Sequence, residues 1–204
     1  MDPLPWYRIA ATPALLVALT AYSFWRPSVH VRSALLGAAV MSCLGVLMDQ
    51  VSARLCPEYF TVLHNPIDGL TEPTLVGIVW GFLGSAGGGL AMGCAAGIAA
   101  TVGKRPPLAV RDIIRPMLVA VAGVAAAVAL TGAIVWWNAD GLRVQLDTES
   151  GPPIPPERHV AALTVACYHM AAYASAMIAS IALCIWISRE RANRSVSSHT
   201  PITS

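Results

Sequence analysis

Long apolar stretches alternate with short polar intervals along this chain. The apolar stretches cover residues 9–25, 33–48, 74–102, 117–137 and 159–187. As a helix, a run of ~20 apolar residues spans the hydrocarbon of a bilayer, whereas a membrane β-barrel would show alternating segments of ~10 residues. The pattern therefore predicts an all-α fold, a polytopic membrane helix bundle with five transmembrane helices, or four if residues 9–25 lie on the membrane surface.

The limits of the second and third helices follow from length and from proline. Residues 33–48 alone are too short to cross ~30 Å of hydrocarbon, so that helix either begins near Val29 or continues to about Leu55. Pro57 ends it, because the residue before a proline is pushed out of the helical region. Pro73 opens the third helix, where its missing N–H is harmless.

Charged residues are scarce and lie in particular loops. Only 12% of the residues are charged, about half the ~25% usual in globular proteins. The basic residues flank apolar stretches in alternate loops, which indicates lipid rather than nucleic acid as their surroundings: Arg26, Arg32, Lys104, Arg105, Arg111, Arg115, Arg189, Arg191 and Arg194. The positive-inside rule makes those loops cytoplasmic. It predicts a bacterial inner-membrane protein with its N-terminus outside, a single bundle over residues 1–188 and a disordered cytoplasmic tail over 189–204.

Glycine is concentrated in the stretch 74–102. We predict two rows of small residues on this helix, the first formed by Gly77, Gly81, Gly84 and Gly88, and the second by Gly89, Gly93 and Gly97. Such rows let membrane helices approach closely and gain van der Waals contact. The helix is therefore the predicted centre of the bundle and a candidate surface for a homo-oligomer or a membrane-protein partner. The alternative is that the glycines only reflect biased composition.

A small set of polar residues stands out against the apolar background. The candidate polar site consists of Asp49, Glu58, His64, His169 and Tyr173. His169 lies ten residues into the last stretch, ~15 Å from its start at 1.5 Å per residue, and an ionisable group inside a membrane indicates function. Tyr173 follows one turn later on the same face, and the neighbouring Tyr168 is expected to point elsewhere. The alternative is a neutral histidine that hydrogen-bonds a neighbouring helix.

Four residues near the predicted outer side form a candidate metal site: Asp49, Glu58, His64 and His159. Carboxylates with histidines suit a divalent metal such as zinc, iron or manganese, and the same groups suit general acid–base chemistry. Their spacing is not diagnostic, and polar loop residues are usually only solvated. Cys56 is the one cysteine in a polar loop, and its lack of an obvious partner predicts no disulfide.

Two polar segments resemble the signature of a family of uncharacterised bacterial multi-pass membrane proteins. They are 49–52 (Asp-Gln-Val-Ser) and 56–61 (Cys-Pro-Glu-Tyr-Phe-Thr), and further similarity is found at Pro73-Thr74, Trp80-Gly81, Arg115-Pro116 and the pair His169 and Tyr173. This chain has Met48 where that family has a histidine before the aspartate. The resemblance implies the multi-pass architecture and highlights Asp49, Glu58, His64 and His169, but it implies no reaction.

Three functions are consistent with these residues. The first is a non-enzymatic accessory, scaffold or ligand-binding bundle with a polar extracytoplasmic site, favoured by the glycine rows and the lack of a catalytic motif. The second is a membrane-embedded metal-dependent or acid–base enzyme that uses Asp49, Glu58, His64 and His169. The third is a small transporter, which ranks last because it requires more than one ionisable group at mid-depth.

Overall fold

The chain folds into long helices joined by short loops. A computed structural model describes residues 4–139 and 154–197, and within these ranges it contains helices and loops but no strand. The helices are α1 (Trp6–Trp25), α2 (Val29–Leu55), the short α3 (Glu58–Thr61), α4 (Pro73–Thr101), α5 (Val110–Asn138), a 3-10 turn (Pro156–Arg158) and α6 (His159–Ser197). The predicted all-α bundle is therefore confirmed. Most of the polar loop between α5 and α6, and residues 198–204 of the predicted tail, lie outside the described residues.

Within residues 4–139 and 154–197, four helices are long and apolar enough to cross a bilayer: α2, α4, α5 and the helical segment Pro156–Val196. Much of their mid-helix surface is exposed and apolar, as at Val119, Leu130, Met177 and Ile178. Exposing so much apolar surface on helices of this length is unfavourable in water, whereas it is favourable in contact with lipid. The chain is therefore a membrane protein, and its four strongly apolar helices match the smaller of the two predicted span counts.

Helix α1 runs the length of the bundle although it is not one of those four. Its N-terminal end is held near the loop after α3, since Leu4 N donates to Pro66 O over 2.8 Å. Its other end, at Trp25, directly precedes the start of α2. Exposed aromatic side chains mark both ends: Trp6, Tyr7, Phe24 and Trp25. Aromatic side chains of this kind are typical of a membrane interface, and whether α1 crosses the bilayer or lies on it stays a prediction.

Helices α2 and α4 pack backbone to backbone along a seam of small residues. A Cβ atom added at Gly89 or Gly93 of α4 would overlap carbonyl oxygens of α2, and one added at Gly81 would lie 2.5 Å from the Gly45 carbonyl oxygen. Gly37 and Gly45 are the facing positions on α2. Close approach of this kind replaces the missing hydrophobic driving force between helices in lipid.

The seam differs from the two predicted rows. Gly77, Gly81, Gly89, Gly93 and Gly97 all face α2, whereas a Cβ at Gly84 or Gly88 would meet nothing within 4 Å. The seam advances four residues at a time, which is about 40° more than one helical turn, so the contact face winds around α4. A step of three residues falls short of one helical turn, so it places Gly84 and Gly88 away from the contact face.

The last helix continues well beyond its predicted end. Helix α6 extends to Ser197, so residues 189–197 are helical rather than a disordered tail. The cause is Arg191, only 4% exposed, whose guanidinium donates to four backbone carbonyls around the loop between α4 and α5. We call this end of the molecule the basic end. The opposite end, where α3 and the start of α6 lie, is called the site end.

Candidate functional site

Four polar side chains meet where α2 and α6 approach each other near the site end. Ser52 Oγ lies 3.2 Å from Asp49 Oδ1, 2.6 Å from Tyr168 Oη and 3.1 Å from His169 Nε2. His169 Nε2 is also 3.2 Å from Asp49 Oδ1. Asp49 and Ser52 are 5% and 0% exposed. We call these four residues the polar cluster.

The polar cluster is a hydrogen-bond network that does not have the arrangement of a Ser–His–Asp triad. Ser52 and Asp49 both approach the same ring nitrogen of His169, whereas a Ser–His–Asp triad requires the acid on the opposite nitrogen. Ser52 Oγ also lies 3.1 Å from Met48 O, and a hydroxyl has only one proton to donate. Ser52 therefore connects the two helices, and its contacts differ from those of the serine in a Ser–His–Asp triad.

The rings of Tyr59, His64 and Trp80 lie beside the polar cluster and form what we call the aromatic wall. The Tyr59 ring stacks on His169 with centroids 4.7 Å apart, and His64 lies between Tyr59 and Trp80 at 4.6 and 5.0 Å. Burial lowers the pKa of His64, and the Tyr59 carbonyl, 3.1 Å from Nδ1, acts in the opposite direction. His64 is therefore neutral at pH 7, and because a carbonyl only accepts, the proton lies on Nδ1 and Nε2 remains an acceptor.

A cavity of about 510 Å³ extends from this wall toward the basic end between α2, α4 and α6. Its lining is mostly apolar; its ionisable side chains gather at the site end, and two serines, Ser85 and Ser180, lie farther along it. Three residues of α6 line the cavity and are more than half exposed: Tyr173, Met177 and Ile181. Gly84 and Gly88 of α4 also line it and are exposed. The cavity therefore opens sideways between α4 and α6, toward the lipid.

The basic residues locate the polar cluster relative to the bilayer. Arg32 precedes Ser52 by twenty residues on α2, and Arg189 follows His169 by twenty on α6. Twenty residues of helix measure ~30 Å, which is the thickness of the hydrocarbon. The polar cluster is therefore about one hydrocarbon thickness away from the basic end, and the depth of ~15 Å expected for His169 stays a prediction.

The structure brings together most of the predicted polar site. Asp49, His64, His169 and Tyr173 all line the cavity. Glu58 does not, because its carboxylate is 3.7 Å from Arg158 Nε and 3.5 Å from Cys56 Sγ.

The predicted metal ligands are not gathered in one place. His159 Nε2 lies 2.8 Å from Ile154 O, ten residues before His169 on α6, whereas Glu58 faces Arg158. Among the described residues no group of three or more histidine, cysteine, aspartate or glutamate side chains has the arrangement to hold a metal ion. The metal site therefore gains no support from the geometry and stays a prediction.

Three important residues were not part of the predicted site. Ser52 lies one turn after Asp49, a spacing that places both on one face of a helix, and this signal was available. Tyr168 was expected to point away from this site, but its hydroxyl reaches Ser52 of α2. Trp80 joins the wall through the path of the loop after α3, which no local pattern indicates.

Comparison with protein-family models, curated proteins and solved structures finds no match for this chain. The resemblance at residues 49–52 and 56–61 therefore stays a prediction, and the site must be interpreted from its own geometry.

Proposed function

We propose that this protein is a non-enzymatic ligand-binding bundle in the membrane, and that its lipid-facing cavity holds an amphipathic molecule. The observation that carries this proposal is the cavity itself, with apolar walls and with Asp49, His64 and His169 converging at one end. Ligand sites typically combine a mostly apolar lining with a few placed polar groups. An amphipathic molecule would place its polar part beside these side chains and its apolar part along the helices.

The acid–base enzyme is the weaker candidate on this geometry. It required Glu58 to act together with Asp49, His64 and His169, and Glu58 is instead directed at Arg158 and Cys56. General acid–base catalysis needs its groups within hydrogen-bond reach of one substrate position. The ligand-binding proposal uses only the residues that line the cavity.

We also propose that the site faces the outside of a bacterial cytoplasmic membrane. The support is the charge pattern, with Arg32, Lys104 and Arg189 toward the basic end and the positive-inside rule. Because Leu4 is bonded to Pro66, the N-terminus would be outside. A membrane-impermeant thiol reagent on intact cells should label Thr61→Cys and spare Lys104→Cys; the reverse result would invert the orientation.

The homo-oligomer predicted through the glycine-rich helix stays a prediction. Gly81, Gly89 and Gly93 already pack against α2 within one chain, so they are not free for a second copy.

Two neighbouring glycines provide a matched test of the cavity. Gly88 lines it, Gly87 does not, and a Cβ at either would meet nothing within 4 Å. Gly88→Leu would therefore place an apolar side chain in the cavity, and Gly87→Leu would add the same side chain outside it. Organic extracts of the purified proteins, compared by mass spectrometry, should contain an amphiphile in wild type and Gly87→Leu that is depleted in Gly88→Leu.

The same extracts would also reveal an empty cavity. Equal species in equal amounts in all three proteins would show that nothing occupies the cavity. Gly84→Val, at a second open position in the lining, provides an independent blocking variant if Gly88→Leu alters folding.

A further inference from the structure

No lysine or arginine lies among the described residues that line the cavity. Asp49 is the one acidic side chain among the described lining residues, and His169 Nε2 lies 3.2 Å from its carboxylate. The nearby Arg54 donates to Gln50 and Thr74 instead. Burying a phosphate or carboxylate head group without a paired cation is strongly unfavourable. Anionic lipids are therefore poor occupants of this site.

The polar end of the cavity offers hydrogen-bond acceptors. The Asp49 carboxyl group accepts through its oxygens, and neutral His64, with its proton on Nδ1, accepts through Nε2. Acceptors that are removed from water need donors. Hydroxyl groups without a net charge would satisfy them at no electrostatic cost.

The dimensions of the cavity fit one leaflet of a bilayer. From His169 to Ile181 is twelve residues, ~18 Å of helix, whereas half of a ~30 Å hydrocarbon layer is ~15 Å. The polar cluster lies about one hydrocarbon thickness, ~30 Å, from Arg32 and Arg189. The opening between Gly84 and Gly88 on one side and Met177 on the other faces lipid. An acyl chain could therefore enter laterally while its head stayed beside the polar cluster.

We infer that the occupant is a membrane lipid with an uncharged, hydroxyl-bearing head group, drawn from the leaflet at the site end. Its head would lie beside Asp49 and His64, and its chain would follow Gly84, Gly88 and Met177 toward Ile181. This inference rests on the proposed ligand-binding function and adds the chemical class of the ligand.

Two probes with the same chain test the head group. Monoolein carries hydroxyls without charge, and oleic acid at pH 8 carries a carboxylate. We expect native mass spectrometry of the purified protein to give a Kd for monoolein at least about tenfold lower than for oleate, a difference of about 1.4 kcal/mol. Gly88→Leu should weaken monoolein binding about tenfold or more, and Gly87→Leu should leave it unchanged.

A third variant addresses the head contact separately. His64→Phe keeps an aromatic ring against Tyr59 and Trp80 but removes the Nε2 acceptor, so it should weaken monoolein binding and leave oleate binding unchanged.

The outcomes separate the two proposals. Oleate binding as tight as monoolein, with both lost in Gly88→Leu, would overturn the head-group inference and leave the cavity as a binding site. Binding of both probes that is indifferent to Gly88→Leu and to Gly84→Val would overturn the ligand-binding function as well.

Discussion

At the scale of single residues, Cys56 is a thiol that its surroundings make unreactive. It is 0% exposed, and burial raises the pKa of Cys56 to about 11, with the Glu58 carboxylate acting in the same direction. The thiolate is the reactive form of cysteine. The sequence showed only a cysteine in a polar loop, because its burial depends on Val165 and Tyr168 of the distant α6.

We therefore predict that Cys56 resists alkylation in the folded protein. In a variant whose other four cysteines are replaced by serine, maleimide at pH 7 should modify Cys56 at least about a hundredfold more slowly than after denaturation. Leu63→Cys, at a position 45% exposed, is the control for reagent access. Equal rates at the two positions would show that the site end is open to water.

His64 makes the stability of the site end depend on pH. Burial lowers the pKa of His64 from its ordinary 6.5, while the Tyr59 carbonyl raises it, His169 lowers it and Asp49 raises it. The unfolded chain then binds more protons than the folded protein below about pH 6.5, so this contribution to stability is present above that pH and is lost as the pH falls.

The measurement is the Tm in detergent from pH 8 to pH 5 for wild type and His64→Gln. We expect the Tm advantage of wild type over the variant to shrink on acidification. An advantage that is constant across this range would contradict a neutral, buried His64. The comparison removes the contributions of the other histidines, which both proteins share.

At the scale of helices, the seam between α2 and α4 makes a sharp distinction between neighbouring glycines. Gly89 faces the Gly37 carbonyl, whereas Gly87 faces open space. Gly89→Val must separate two backbones, and overpacking of this kind typically destabilises by ~1–3 kcal/mol. Gly87→Val should be close to neutral.

Thermal unfolding in detergent checks the seam. The Tm of Gly89→Val should fall by several degrees relative to Gly87→Val. Equal Tm values would show that the two helices do not touch at Gly89. A shift from monomer to a larger species in Gly87→Val alone would instead indicate that the exposed face of α4 contacts a second copy.

The sequence predicted most helix limits because local chemistry determines them. Pro73 begins α4 and Pro57 follows the end of α2, as expected from their missing N–H groups and steric restrictions. The sequence did not predict that α6 extends to Ser197, because this helical end depends on Arg191 and on carbonyls about 85 to 92 residues away in the chain. The sequence also did not predict that Gly84 and Gly88 lie off the seam, because the winding of the seam depends on the partner helix α2.

At the scale of the whole molecule, the site arises from a gap between two apolar clusters. One, at the basic end, includes Ile113, Met117 and Ile187; the other, at the site end, includes Phe60 and Val165. Between them the open α4 glycines leave space that side chains would otherwise fill. Asp49 and His169 were identifiable as rare polar groups in apolar stretches, but their contact across 120 positions of sequence was not.

Photo-crosslinking shows most directly whether a lipid fills the cavity beside the polar cluster. A monoacylglycerol with a diazirine on its chain would be added to the protein in lipid nanodiscs, and the adducts mapped by peptide sequencing. We predict adducts at Met177 and Ile181 that excess monoolein removes, in clear excess over Val119 and Leu130. All four side chains are 61–69% exposed, so exposure to bulk lipid alone would label them alike. Equal labelling of all four residues that monoolein does not reduce would show that lipid does not fill the cavity.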